Sequence, residues 1–338
     1  MDFSPKPNHM SKKTQLNISS LVIFTIALSL PIIGKGQSKR LDKAYKSTIH
    51  KKYSIDPSIP LTARIIETSN EILQKFRDAG MSPTVHQISK ADSLKVVSAF
   101  KSLPPLHQQI LKDHLVGISF LDNMPNTALT ATVNPEDRFP VFTITFRAEI
   151  LKQDVSQWLT EKESSYFTKN PNLRIAIDAG KMDAIYYVLL HEATHVVDGA
   201  LGIINDEKQM SGIGSDFKGF TNNIWKDRTH LFPNFMDTLS DQARFRNGGK
   251  LLPIEYAKDI YLSAAKKPFV SLYSTASWHE DLAEYLSVTH LTRKLKQPFR
   301  ILIYEGDKEI FSYEPMTSSM VNSRTDFMKY FYRRKVGT

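Results

Sequence analysis

The chain has 338 residues, 41% of them apolar, with 44 basic and 35 acidic residues for a formal net charge of +9, and no cysteine. That length and apolar share suffice for one large or two modest folded domains and exclude wholesale disorder. The absence of cysteine excludes a disulfide scaffold, a thiol nucleophile and thiolate-held zinc, so any metal must be held by histidine and carboxylate.

The first 36 residues carry Lys6, Lys12, Lys13 and Lys35 against Asp2, a contribution of +3 that leaves +6 on the remainder. No basic block stands out beyond short pairs and the terminal Arg333-Arg334-Lys335. Dispersed charge of this kind serves solubility, and no nucleic-acid partner is expected. The basic stretch after Met10, itself an alternative start, precedes the apolar run Leu21–Ile33. Gly34-Lys35-Gly36 then places small residues where a signal peptidase reads. This order of regions predicts a signal peptide over 1–36, cleavage near Gly36 and export to the periplasm or medium. The run is shorter than the roughly 20 apolar residues a span needs and contains Pro31, so no stable membrane span is expected after signal removal.

Residues 37–60 are polar and basic and read as a leader into the fold, and 37–100 as an N-terminal helical segment. Ile65, Ile66, Ile72, Leu73 and Phe76 predict a helix over Leu61–Ala79 that stops at Gly80. Ala91–Leu103 and Pro105–Leu115 are further helices, Pro105 suiting a first turn. The β-branched and aromatic runs 117–121, 128–133 and 141–146 predict a small sheet. Asp183 is a suitable N-cap for a helix over Ala184–Asp198, ended by Gly199 and Gly202. Residues 203–252 read as a long packed connection with Trp225 in the core. Helices at 253–266 and 278–295, a hairpin over 299–313 and a short helix at 325–332 complete an α+β chain. The expected layout is a small mixed sheet packed on the 184–198 helix, with a mainly helical C-terminal lobe, in a domain spanning 101–338.

His191-Glu192-Ala193-Thr194-His195 places two imidazoles four residues apart, on one face of a helix and about a turn from each other. Two ring nitrogens so spaced suit one zinc ion at roughly 2.0–2.1 Å each. Glu192, beside them, can take the proton of a water that the ion acidifies. The preceding Ile185, Val188, Leu189 and Leu190 indicate a helix through the core, where incidental polar groups would be costly.

A third ligand has to come from elsewhere, because Asp198 and Leu201 stand where a nearby Gly and third His would sit. The best candidate is Glu280 in Tyr273-Ser-Thr-Ala-Ser-Trp-His-Glu-Asp-Leu-Ala-Glu284. Glu284 shares its helix face and is placed to orient a ligand histidine. His279 is the rival ligand, pointing about 100° away from Glu280. Asp198 stays unassigned, and His50, His86, His107, His114, His230 and His290 lack motif context.

The set His-Glu-x-x-His-x-Val-Asp, then Tyr273, Glu280 seven residues on, and Ala283-Glu284, resembles the peptidase domain of anthrax lethal factor and the smaller secreted Pro-Pro endopeptidases, which are glutamate-zincins. The resemblance implies a zincin-like fold, Glu280 as the third zinc ligand, Tyr273 as the residue that stabilises the oxyanion, and Glu284 behind the ligands. The Trp278-His279 pair and the long connection after the metal helix depart from the pattern, so cleavage preference is not carried over. The expected function is a Zn2+-dependent endopeptidase acting on protein or peptide. Val141–Phe146 is the expected edge strand for pairing with extended substrate. The alternatives are a catalytically inactive, zinc-containing binding or scaffolding protein of the cell envelope, or a hydrolase of a cell-wall peptide.

Overall fold

The computed structural model describes residues 39–204, 219–246 and 248–333. The segment read as a signal peptide lies outside them, as do Gly212 and Gly214 of the long connection. Among the described residues no helix is long and apolar enough to cross a membrane.

Helix α1 (Lys39–Lys52) comes first, where a polar leader is expected. It is retained by Ile49, which packs with Ile55 and Val141 in a small cluster. The expected helix over Leu61–Ala79 is broken. Only α2 (Asn70–Asp78) is α-helical, with Ser69 accepting the Ile72 N–H as its cap. Before it, Ile66 N–H donates to Ile118 O and Ile118 N–H donates to Arg64 O, both at 2.8 Å. The apolar residues of that stretch therefore serve an extended strand-like segment, because pairing with a neighbouring strand overrides local periodicity. Gly117 makes the approach feasible, since a Cβ there would lie 2.5 Å from Ile66 Cδ1.

Helices α3 (Lys90–Ser102) and α4 (Pro105–His114) follow, α4 with proline in its first turn. A four-stranded sheet combines β1 (Thr84–Val85), β2 (Leu115–Asp122), β3 (Ala128–Thr132) and β4 (Phe142–Arg147) in the order β1-β2-β4-β3. β4 pairs parallel to β2 and antiparallel to β3. The strand expected at the edge is thus interior. The β3–β4 hairpin docks through its second strand and leaves β3, opposite β1, as an edge strand of the sheet among the described residues.

Helix α5 (Val155–Ser164) was not evident from periodicity; a capping box between Asp154 and Gln157 sets its start. A second sheet of order β5-β6-β7 joins β5 (Leu173–Asp178) antiparallel to the expected hairpin, β6 (Arg300–Glu305) and β7 (Lys308–Tyr313).

The central helix is α6 (Ile185–Leu201), ended by Gly202 with a left-handed φ of 57°. Asp183 is not its cap. The N-cap position is Ala184, without a side-chain bond, and the Asp183 carboxylate lies 3.1 Å from Lys95 Nζ instead. α6 packs against α3, α4, β3 and the later helix α8 (Trp278–Thr289), with α7 (Ala257–Ala264) between them in sequence. Val96 and Phe100 of α3, Ile144 of β4, Leu189 and Val196 of α6 and Leu282 of α8 belong to one hydrophobic cluster. Trp225 is buried in it, as expected.

Candidate metal centre

Tyr187, Val188, Leu189 and Leu190 are buried on α6, which anchors the helix while His195 and Glu192 remain half-buried at its working face. One helical turn separates His191 from His195, and their Nε2 atoms stand 3.3 Å apart.

α8 supplies the third group. Ser277 caps it by accepting the Glu280 N–H at 3.2 Å. Ser277 and Glu280 have the spacing of a capping box, yet the Glu280 carboxylate is turned to the histidines. Its Oε2 lies 3.0 Å from His191 Nε2 and 3.5 Å from His195 Nε2. These atoms form a group that could hold a metal ion. Ligands at roughly 2.0–2.1 Å from a tetrahedral ion lie about 3.3 Å from one another by geometry. The triangle 3.0, 3.3 and 3.5 Å brackets that value.

His279 is directed elsewhere. Its Nδ1 lies 2.6 Å from Asp198 Oδ2, and Asp198 Oδ1 accepts the Ile204 N–H at 2.8 Å. Asp198, unassigned from sequence, thereby ties the end of α6 to the start of α8.

Glu284, 1% exposed, sits on the other side of His191. Its Oε1 is 3.0 Å from His191 Nδ1, a close contact whose angle departs from that of an ideal hydrogen bond. The same oxygen accepts from Lys162 Nζ at 2.9 Å, and Oε2 accepts from Ser271 Oγ at 2.7 Å. Burial lowers the His191 pKa, but Glu280 and Glu284 outweigh it and carry the net value up to about 10. Glu280 moves the other way: burial raises its pKa, but the two histidines prevail and hold it well below the usual carboxylate range. The two shifts are the two sides of one attraction between imidazole and carboxylate in a buried place.

Glu192 does not join the triangle. Its Oε2 accepts a 2.6 Å hydrogen bond from Thr130 Oγ1 on the edge strand β3. Tyr273 stands in a 3-10 turn, Tyr273–Thr275, with its ring 6.3 Å from the His191 ring. Burial, then the Glu280, Glu192 and Glu284 carboxylates, raise its phenol pKa well above normal, so it is an O–H donor at neutral pH.

Sequence reasoning missed Thr130, Lys162 and Ser271. Thr130 lies within an expected strand, but only the strand order aims it at α6. A lysine in Trp-Leu-Thr-Glu-Lys-Glu carries no local sign of burial. Of the histidines without motif context, His107, His114 and His290 are buried in packing roles and His230 is exposed.

No family model matches the chain, and no curated protein matches it in sequence. Among solved structures it is similar to a candidate zinc-binding metallo-peptidase from Bacteroides caccae, at 11% identity and a TM-score of 0.33 over 88% of each chain. A likeness at that score carries no argument about fold or chemistry.

Proposed function

We propose that this chain is an exported zinc-dependent endopeptidase of the glutamate-zincin type. The observation that carries the reading is the triangle of His191 Nε2, His195 Nε2 and Glu280 Oε2, whose edges suit one tetrahedral ion with a position left for solvent. Charge is compatible with it. Glu192, Glu280 and Glu284 set against Lys162 leave the cluster at −2 when the histidines are neutral, and a divalent cation brings it to zero. Two nitrogens and one carboxylate are a donor set that zinc accepts.

When bound, zinc polarises the scissile carbonyl and acidifies water. The chain's own groups do the rest. Glu192, held by Thr130, takes the proton from the attacking water and returns it to the leaving amine. Tyr273 donates its O–H to the oxyanion that develops on the carbonyl. The free edge of β3 offers backbone groups to an extended peptide, and Thr130 on that strand brings the peptide alongside Glu192. Residues 1–36 direct export, on the strength of their charge and apolar order alone.

The deciding experiment is Glu192→Gln assayed on an unfolded protein substrate with zinc content measured in parallel. Cleavage is expected to fall by about 10²–10⁴-fold with zinc retained. Cleavage that is equal in both proteins and indifferent to chelators would overturn the assignment, and absence of cleavage by the wild type with zinc bound would favour the scaffolding alternative.

A further inference from the structure

We infer that Lys162 is a positioning residue of this site, holding the Glu284 carboxylate against His191 and the Tyr273 ring beside it. The inference rests on the zinc-site reading above and extends it to a third helix.

Lys162 lies one turn after Trp158 on α5, so both project from one helix face. Its Nζ is 2.9 Å from Glu284 Oε1 on α8, 4.2 Å from the centroid of the Tyr273 ring and 5.3 Å from that of Trp158. The side chain is only 16% exposed, so this is not a solvated lysine resting on a surface. Burying an ammonium is costly unless it is paired, and here the partner is a carboxylate more buried than itself.

What the ammonium does follows from the Glu284 oxygens. Oε1 takes the Lys162 donor and faces His191 Nδ1 at 3.0 Å; Oε2 takes the Ser271 hydroxyl. With both ends held, the carboxylate cannot rotate away from the imidazole. Deleting the lysine removes the donor at Oε1 and leaves Ser271 holding Oε2, so the acceptor facing Nδ1 is less firmly fixed. Once a metal displaces the Nε2 proton, a carboxylate held at Nδ1 keeps the proton there and leaves Nε2, beside Glu280 and His195, free to donate its lone pair to the ion. The same cation lies over the face of Tyr273 and restrains that ring by cation–π attraction. One residue thus connects a ligand histidine with the proposed oxyanion donor.

The test is a zinc-affinity cycle on the full chain, measured by competition with a chromogenic chelator. It uses wild type, Lys162→Met, Glu284→Gln and the double variant, with nitrogen NMR of labelled histidine in the zinc-loaded proteins reporting the His191 tautomer. Lys162→Met is expected to bind zinc about tenfold or more weakly and to lose the single Nδ1-protonated signal, since partners behind a ligand typically contribute 10–100-fold. The double variant is expected to bind no more weakly than Glu284→Gln alone, because the lysine acts through that carboxylate. Lys162→Arg keeps the cation and is expected to stay within about threefold of wild type. If Lys162→Met does not fold, Lys162→Gln compared with Lys162→Arg provides the same contrast. Unchanged affinity and tautomer in the uncharged variants, or losses that multiply in the double variant, would overturn the role of Lys162. Failure of the wild type to bind zinc would instead overturn the metal reading itself.

Discussion

The proposed zinc site has a stability consequence that can be tested without a substrate. Three carboxylates and two imidazoles are gathered there, and a ligand that binds only the folded chain stabilises it by RT ln(1 + [L]/Kd). With free zinc at 1,000 times Kd, that is about 4.1 kcal/mol. Unfolding entropy near 2.1 cal/mol/K per residue, over roughly 280 described residues, amounts to about 0.6 kcal/mol/K. The melting temperature is therefore expected to rise by about 7 °C between excess chelator and excess zinc, read by differential scanning calorimetry. Glu280→Gln removes the anionic corner of the triangle. If affinity falls about a thousandfold, the remaining stabilisation is about 0.4 kcal/mol, a shift of under about 1 °C. Comparing zinc with chelator within each protein cancels any effect of the substitution on the metal-free fold. A wild-type shift near zero, or an equal shift in Glu280→Gln, would refute the assignment of Glu280 to the site.

Thr130→Val keeps the shape of the side chain and removes the hydroxyl that donates to Glu192. A hydrogen bond to a charged group contributes about 1.5–3 kcal/mol, so kcat is expected to fall by about 10–100-fold. Zinc content and KM should change little, because Thr130 touches none of the three metal-facing atoms; loss of zinc would count against this role. His114 is buried, stacked on Phe139, and 2.7 Å from the Pro140 carbonyl. Burial lowers its pKa to about 4, the Pro140 carbonyl opposing. The unfolded chain takes up a proton near pH 6.5 and the folded chain only near 4, so stability contributed by the neutral ring is lost as pH falls through that window. Relative to His114→Gln, wild type is expected to lose about 2 kcal/mol between pH 7 and pH 5 in urea denaturation. Glu163, raised to about 7 chiefly by burial, drives wild type in the opposite sense, and the paired comparison removes it. A gap between the two proteins that does not change with pH would contradict the buried, neutral state of His114.

Local chemistry made part of this molecule legible from the residues alone. A spacing of four on a helix puts His191 and His195 on one face whatever surrounds them, because helical geometry is a property of the backbone. Gly80 and Gly202 end their helices with positive φ for equally local reasons. The runs that became β2, β3 and β4 were readable as strands from their side chains. Their order was not, and the expected edge strand proved to be interior. Nor did apolar spacing identify the extended pairing of residues 64–66, since a partner strand far along the chain decided it.

The amino-acid sequence by itself determined which groups were available: two imidazoles, a neighbouring carboxylate, a downstream pair of glutamates and no thiol. Tertiary structure decided which of them meet. It brought Glu280 rather than His279 to the histidines by tying His279 to Asp198, set Thr130 on Glu192, and buried Lys162 between Glu284 and Tyr273. The physical reason is range. Propensity and capping act within a turn or two of chain, whereas a charge in a low-dielectric interior is placed by whichever partners the packed helices and sheet edges bring within hydrogen-bond reach.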